Sequence, residues 1–185
     1  NEITAIPQLL DMIDIEGTII TIDAMGCQKS IANKIIDNKA DYILALKGNQ
    51  ESLADEVENY FNQADAINFE GVECDAVGSK EIGHGRVEKR EIYATEDLDW
   101  LPQKDQWRHI KSIIMIKSER STLDKPASIK KRYYISSLPN DALNLGNAIR
   151  EHWGIENQAH WTLDVAFRED EQNANAGNIA ENMSL

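Results

Sequence analysis

Cysteine is scarce in this 185-residue chain, which contains only Cys27 and Cys74. The two lie far apart without a CxxC pair, a pattern typical of reduced thiols rather than of a disulfide framework or a zinc knuckle. Long apolar runs are also missing, and the amino end lacks a basic and then apolar leader. No membrane span or secretory signal is therefore visible, and the sequence predicts a cytoplasmic protein.

Basic residues are few as well, with 19 Lys and Arg against 32 Asp and Glu and a formal net charge of −13. This balance at first argues against nucleic acid as a partner, since phosphate binding relies on Lys and Arg. However, 13 of the 19 basic residues fall within residues 69–138. The flanking segments are strongly acidic, and concentrated acidic groups are what hard divalent cations require. Most of these charges are nevertheless expected to form a solvated surface.

The amino-terminal part alternates short β-branched runs with amphipathic stretches. GTIITIDA predicts a buried strand ending at Asp23, and DYILALKGNQ predicts a second strand from Tyr42 to Lys47. SIANKIIDNKA and ESLADEVENYFNQ, which follow these strands, space their apolar residues as helices do. Strand, helix, strand and helix with short links predict parallel strands joined by crossovers.

The composition changes after Glu70, where Gly, Val, Ile and charged residues replace the helical pattern. We predict an α/β fold in one discontinuous domain. Residues 1–68 form the first part of the core, 69–138 a β-rich and possibly antiparallel insertion, and 139–185 a core helix capped by Asn140 or Asp141.

Glu156 lies in the middle of the apolar stripe of that last helix, with Leu145 and Ile149. An unpaired buried carboxylate costs several kcal/mol, so such a group is usually paired, hydrogen-bonded, protonated or bound to metal. Asp23 follows a strand, where α/β sheets carry their sites. The two acids together predict a divalent-metal site.

His152, Glu156 and His160 also form an H-x3-E-x3-H ladder on one helical face. A zinc site is the alternative, but three ligands on successive turns span about 12 Å and do not converge on one ion. A zinc site made of two of them and a ligand from elsewhere stays open, but the histidines are expected instead to flank the carboxylate, where they form hydrogen bonds or contact phosphate.

GHGRVEKREI places Arg86, Glu88 and Arg90 on one face of a strand. This face either contacts phosphate or is a solvated surface with cross-strand ion pairs, and the residues alone favour the second interpretation. Trp100 and Trp107 either stack on an unpaired base or pack in the interior, which is the commoner fate of tryptophan.

Four separated motifs resemble one family, the DDE transposases of the ISAs type, which contains the H-repeat-associated proteins. The motifs are ITIDAMGCQ, YILALKGNQ, GHGRVEKREI and IREHWGIENQAHWTLDVAFREDE, in the family's order. The resemblance implies a ribonuclease-H-like fold, a mixed sheet flanked by helices. It also implies two Mg²⁺ ions, or Mn²⁺, and cleavage and transfer of DNA strands at the ends of an insertion sequence.

By the same resemblance, Asp23 is the second catalytic and metal-binding acid and Glu156 is the third. The first is expected upstream of Asn1, so the chain is expected to be an inactive piece of a longer enzyme. Asp11 and Asp14, predicted to lie in a helix, are poor substitutes for it.

One departure concerns the Y-x2-R-x3-E-x6-K signature of related transposases. Here Ile149, His152 and Leu163 stand where the tyrosine, arginine and lysine are expected. We predict that His152, Asn157 and His160 take over the DNA contacts of the missing basic residues.

The remaining predicted DNA contacts are Lys47, Asn49 and Gln50, just past a strand end on the side of Asp23, together with Arg86 and Arg90. The implied partners are transposon-end and target DNA and a second copy of the protein in synapsis. Two alternatives stay open. One is a degenerate relative that binds DNA or protein without catalysis, and the other is a ribonuclease-H-like nuclease that acts on RNA or on a Holliday junction.

Overall fold

The computed structural model describes residues 2–83, 86–122 and 125–155, which form four helices and six strands. The helices are α1 (Glu2–Met12), α2 (Lys29–Asp37), α3 (Glu51–Ala66) and α4 (Ala142–Ile155). The strands are β1 (Ile19–Ile22), β2 (Asp41–Leu46), β3 (Asp75–Gly83), β4 (Arg86–Thr95), β5 (Ser112–Thr122) and β6 (Lys125–Ser136). The predicted β-α-β-α order is confirmed, but both strands end one residue before the predicted position, at Ile22 and at Leu46. The prediction that the first strand is buried was wrong, because β1 is the edge strand of the sheet and is partly exposed.

All six strands belong to one mixed sheet with the order β1-β2-β6-β5-β4-β3. β1 and β2 are parallel, as predicted from the helix between them, and the other neighbouring pairs are antiparallel. β6 pairs directly with β2, with Ile43 opposite Ser136. The β-rich segment therefore continues the sheet of β1 and β2, while the predicted division into three segments stays a prediction.

α2 and α3 each bury one face, because their apolar residues recur every three or four positions. Cys27 is buried in the same core, and both cysteines are free thiols, as predicted. Within the described ranges, no helix combines the length and the apolar character needed to cross a bilayer. The residues that these two helices bury completely are Ile31, Ala32, Ile35, Leu53, Val57 and Phe61.

The start of α4 is set by Asp141, one of the two caps that the sequence offered. Its Oδ1 accepts a hydrogen bond of 3.0 Å from the backbone N–H of Asn144. Gly146 follows, and a Cβ there would collide with the side chain of Ile92 in β4. The chain forms two compact units, residues 1–148 and 149–185, so α4 runs from the first into the second.

Both tryptophans of the β-rich segment pack against other residues of the protein, Trp107 in the core and Trp100 at its partly exposed edge. Trp107 is buried, and Trp100 stacks on Tyr60 with the ring centroids 4.6 Å apart. The indole N–H of Trp100 donates a hydrogen bond of 2.7 Å to the backbone carbonyl of Asp97. These contacts favour packing over the base-stacking interpretation.

Asp65, near the end of α3, joins the helix to β5 and β6. Its Oδ1 lies 2.7 Å from Nζ of Lys117, and its Oδ2 lies 2.8 Å from Nζ of Lys131. Burial by itself raises the pKa of Asp65, but the hydrogen bonds and charges of the two lysines outweigh it and hold the pKa below its ordinary value of 3.8. α3 is thus attached to the sheet by a charged cluster as well as by apolar packing.

We expect Asp65→Asn to lower the free energy of unfolding by roughly 1–3 kcal/mol at pH 7, because two partly buried ammonium groups lose a charged acceptor. A carboxyl group whose pKa falls on folding stabilises the protein above its unfolded pKa of about 3.9, and this stability is lost as the pH falls through the folded value. Urea unfolding should therefore show a difference from the wild type at pH 7 that shrinks as the pH falls below about 4.

The control for this prediction is Asp99→Asn, since Asp99 pairs with Lys104 but is 93% exposed. This substitution should leave the stability unchanged at both pH values. A loss for Asp65→Asn that is as large near pH 3 as at pH 7 would contradict the charge-based explanation.

Candidate active site

Asp23 directly follows β1 and precedes a 3₁₀ turn at Ala24–Gly26. The backbone carbonyl of Asp23 accepts a hydrogen bond of 3.0 Å from the N–H of Gly26, which closes the turn. The side chain is 65% exposed. A carboxylate is therefore presented to solvent at the carboxyl end of a parallel strand, the edge at which open α/β sheets carry their sites.

Gly26 keeps this turn close to the strand and to α1. A Cβ at this position would collide with the side chain of Ile22 and would lie 2.9 Å from Cδ1 of Ile6. The glycine of the ITIDAMGCQ motif is thus required by close approach, which positions the backbone beside Asp23.

Lys47 lies next to Asp23 because it follows β2, the parallel neighbour of β1. Its Nζ is 3.6 Å from Oδ1 of Asp23, and the two side chains are 67% and 65% exposed. An ion pair this exposed contributes only about 0–1 kcal/mol to stability. The pair therefore places a cation beside the carboxylate without burying either group.

Gln50 links the segment that follows β2 to the segment that follows β1. Its side-chain amide donates a hydrogen bond of 3.0 Å to the backbone carbonyl of Cys27. No sequence pattern indicates this contact, which assigns Gln50 a structural role. Asn49 lies in the same 3₁₀ turn, and the DNA contacts predicted for Lys47, Asn49 and Gln50 stay predictions.

The thiol of Cys27 lies close in sequence to Asp23, but burial raises its pKa to about 12. A thiol with this pKa is neutral at pH 7, and the thiolate is the nucleophilic form of cysteine. Cys27 therefore belongs to the packing around the site rather than to its chemistry.

The described part of the chain contains no cluster of three His, Cys, Asp or Glu side chains able to hold a metal ion. Glu156, Asn157 and His160 lie outside the described residues. His152 is half-buried in α4 and belongs to the second compact unit. Asp23 thus offers one exposed, hard oxygen donor of the kind that Mg²⁺ prefers, and a complete ion site there needs ligands from elsewhere.

The other amino-terminal acids differ from Asp23 in position. Asp11 lies in α1 and pairs with Lys34, with 2.6 Å between Oδ2 and Nζ. Asp14 lies after the end of α1, so the prediction that it is helical was wrong. The helix ends at Met12, before the turn that leads into β1.

Arg86, Glu88 and Arg90 alternate along β4 with Val87, Lys89 and Glu91, so each set occupies its own face as predicted. Arg90 forms an ion pair of 2.7 Å with Glu88 on the same strand.

A family model for the transposase DDE domain matches residues 1–185. The chain belongs to this family. The membership predicted from the four motifs is confirmed, and the names of the relatives agree with it. "Putative transposase YncI" of Escherichia coli O157:H7 is 44% identical over 187 residues, which cover 100% of this chain and 47% of that protein. "H repeat-associated putative transposase YhhI" of Escherichia coli strain K12 is 42% identical over 185 residues, 98% of this chain and 48% of the relative.

This DDE-family chain therefore spans about half the length of the curated relatives that it matches. A third relative, "Putative protein YbfL" of strain K12, shows the same proportions, with 42% identity over 98% of the chain and 48% of its own length. No solved structure gives a significant match.

Proposed function

We propose that this chain is part of the catalytic domain of a metal-dependent transposase with a ribonuclease-H-like core. The observation that carries the proposal is the exposed carboxylate of Asp23 at the carboxyl end of a parallel strand pair, in a chain of the DDE family. The β-rich segment extends the same sheet, which agrees with one discontinuous catalytic domain.

In this proposal Asp23 is the second acid, Glu156 is the third, and the first lies upstream of Asn1. The exposed oxygen atoms of Asp23 suit Mg²⁺ or Mn²⁺, which bind through hard oxygen ligands. Bound by these acids, two such ions would activate an attacking oxygen and stabilise a leaving oxygen in phosphoryl transfer. Asp23 holds its part of the site in place because the turn closed by Gly26 fixes its backbone.

The substrate of the proposed reaction is DNA. Water attacks the phosphodiester at the end of the element and breaks its P–O3′ bond, which leaves a 3′ hydroxyl on the element and a 5′ phosphate on the flanking DNA. The 3′ hydroxyl then attacks a phosphodiester of target DNA, joins to its phosphorus and displaces the 3′ hydroxyl of the target strand. Lys47, beside Asp23, supplies a positive charge for the DNA backbone near the reacting phosphate. Other proposed DNA contacts, to be tested one by one, are Asn49, Gln50, Arg86, Arg90, His152, Asn157 and His160.

The test compares two proteins on labelled duplex that carries the element's ends, with Mg²⁺ or Mn²⁺ titrated. A longer protein that includes the upstream acid should nick the duplex, and the 185-residue chain alone should not, because a site with two acids lacks a ligand for the metals. Gel electrophoresis of the labelled strands measures the extent of nicking by each protein.

Each outcome separates the alternatives. Cleavage by the 185-residue chain contradicts the upstream position of the first acid. Binding without nicking by the longer protein identifies a degenerate relative, and a preference for RNA or for four-way junctions identifies another nuclease. We also propose that a second copy of the protein joins at synapsis. The proposed compartment is the cytoplasm.

A further inference from the structure

The two faces of the sheet formed by β3 to β6 differ in charge, and strand register shows how. Residues opposite each other on neighbouring strands share a face, as do residues two apart on one strand. Glu88 is opposite Arg120, and Arg90 is opposite Ser118, which is itself opposite Lys130. The face that carries Arg90 therefore contains basic residues from three strands, and we call it the arginine face. Its basic residues are Arg86, Arg90, Arg120, Lys130 and Arg132.

The same register places three acidic side chains on this face, with Glu81 and Glu88 among the five basic ones and Asp75 at its far end, opposite Ala94. Arg86, Arg120, Lys130 and Arg132 are exposed. Within the described ranges no ion pair involves Arg86, Arg120 or Lys130, whereas Arg90 pairs with Glu88. The arginine face thus carries a net positive charge in a chain whose net charge is −13.

The opposite face, which we call the lysine face, is largely neutralised. Lys89 lies 2.9 Å from Glu91, and Lys117 and Lys131 both contact Asp65 of α3. Lys80 is opposite Lys89 and is exposed. Helix α3 therefore covers part of the lysine face and supplies it with a counter-charge.

We infer that the arginine face binds the sugar-phosphate backbone of duplex DNA and that the lysine face does not. Arg86 and Arg90 are four residues apart, which is about 13 Å along β4, and Arg90 and Lys130 are two strands apart, which is about 10 Å. DNA carries one phosphate per about 3.4 Å of helix axis on each strand, so a face of these dimensions is long enough to contact several phosphates. The planar guanidinium of arginine also suits phosphate oxygens, which it can bind in pairs.

This inference deepens the proposed function, on which it rests for the choice of DNA as ligand. It adds Arg120, Lys130 and Arg132 to the contacts expected from GHGRVEKREI. It also gives the binding surface a direction, since only one side of the sheet is used.

The test measures the affinity of the 185-residue chain for a duplex of about 30 base pairs as the salt concentration is varied. Arg120→Gln/Lys130→Gln removes two charges from the arginine face, and Lys80→Gln/Lys89→Gln removes two from the lysine face. We expect the first variant to weaken binding at least tenfold near 0.1 M salt and to reduce the salt slope by about 2. We expect the second to weaken binding less than threefold.

Three outcomes would overturn the inference. The first is that both variants weaken DNA binding equally, and the second is that the wild-type chain does not bind DNA. The third is that the first variant changes its self-association during sedimentation, which would mean that the face binds an acidic protein surface. All four substituted residues are exposed, and circular dichroism checks that the fold is kept.

A cleavage assay distinguishes this inference from the proposed function. Suppose that the longer protein cleaves DNA, that this cleavage requires Asp23, and that both variants bind DNA equally well. This result would overturn only the assignment of the arginine face. Face-dependent binding without any cleavage would overturn the catalytic proposal alone.

Discussion

Replacing Asp23 by Ala in the longer protein should reduce metal-dependent DNA cleavage by roughly 1,000-fold or more. A lost carboxylate ligand removes stabilisation of the transition state, and ~4 kcal/mol corresponds to a factor of about a thousand in rate. The same loss is expected for Glu156→Ala. The fold should persist, because the side chain of Asp23 is 65% exposed and its nearest cation, Lys47, is equally exposed. Strand nicking and thermal unfolding, measured on the same samples, separate the two effects.

Asp11→Ala is a matched control for this experiment. Asp11 is 63% exposed and pairs with Lys34, so it resembles Asp23 in residue type, exposure and partner. It lies in α1, and its loss should leave cleavage unchanged. Full cleavage activity of the Asp23→Ala protein would contradict the catalytic assignment. An equal loss of cleavage activity in the Asp11→Ala protein would indicate a general effect of charge.

Phe61→Ala should lower the free energy of unfolding by about 3–5 kcal/mol, the usual cost of truncating a buried aromatic residue. Phe61 is fully buried on the inner face of α3. Its ring meets Tyr60 edge-on at a centroid distance of 5.5 Å and stacks on Tyr133 of β6 at 6.2 Å. The substitution therefore removes the contact that joins the helix to the middle of the sheet. Urea unfolding followed by circular dichroism measures the loss.

Leu143→Ala is the control for Phe61→Ala, since Leu143 is 57% exposed. A large-to-small change at this exposed position should alter the free energy of unfolding by no more than about 0.5 kcal/mol. If Phe61→Ala cost less than about 1 kcal/mol, the packing between α3 and β6 would not be the main connection between helix and sheet.

The elements that sequence patterns predicted well are those with a local signal. The strand before Asp23 is β-branched and apolar, the strand before Lys47 is mostly apolar, and the helices between and after them have a clear 3.6-residue period. Such patterns also placed both residues at one edge of the sheet, because parallel strands bring their carboxyl ends together. The position of Asp14 was predicted wrongly, since no local signal marked the end of α1.

The candidate site was predicted only in part, and the contacts around it explain why. The 3.6 Å approach of Lys47 to Asp23 depends on the alignment of two strands, and the contact between Gln50 and Cys27 depends on the path of two turns. The inward position predicted for Glu156 falls outside the described residues.

The sequence by itself determined the order of strands and helices, the reduced state of the cysteines and the family. All three depend on residue types and short spacings. Only the tertiary structure decided that β6 pairs with β2, so that the β-rich segment continues the sheet, and that Arg120 and Lys130 join Arg90 on one face. The physical reason is that register joins residues distant in the chain, and a shift of one residue moves every side chain of a strand to the other face.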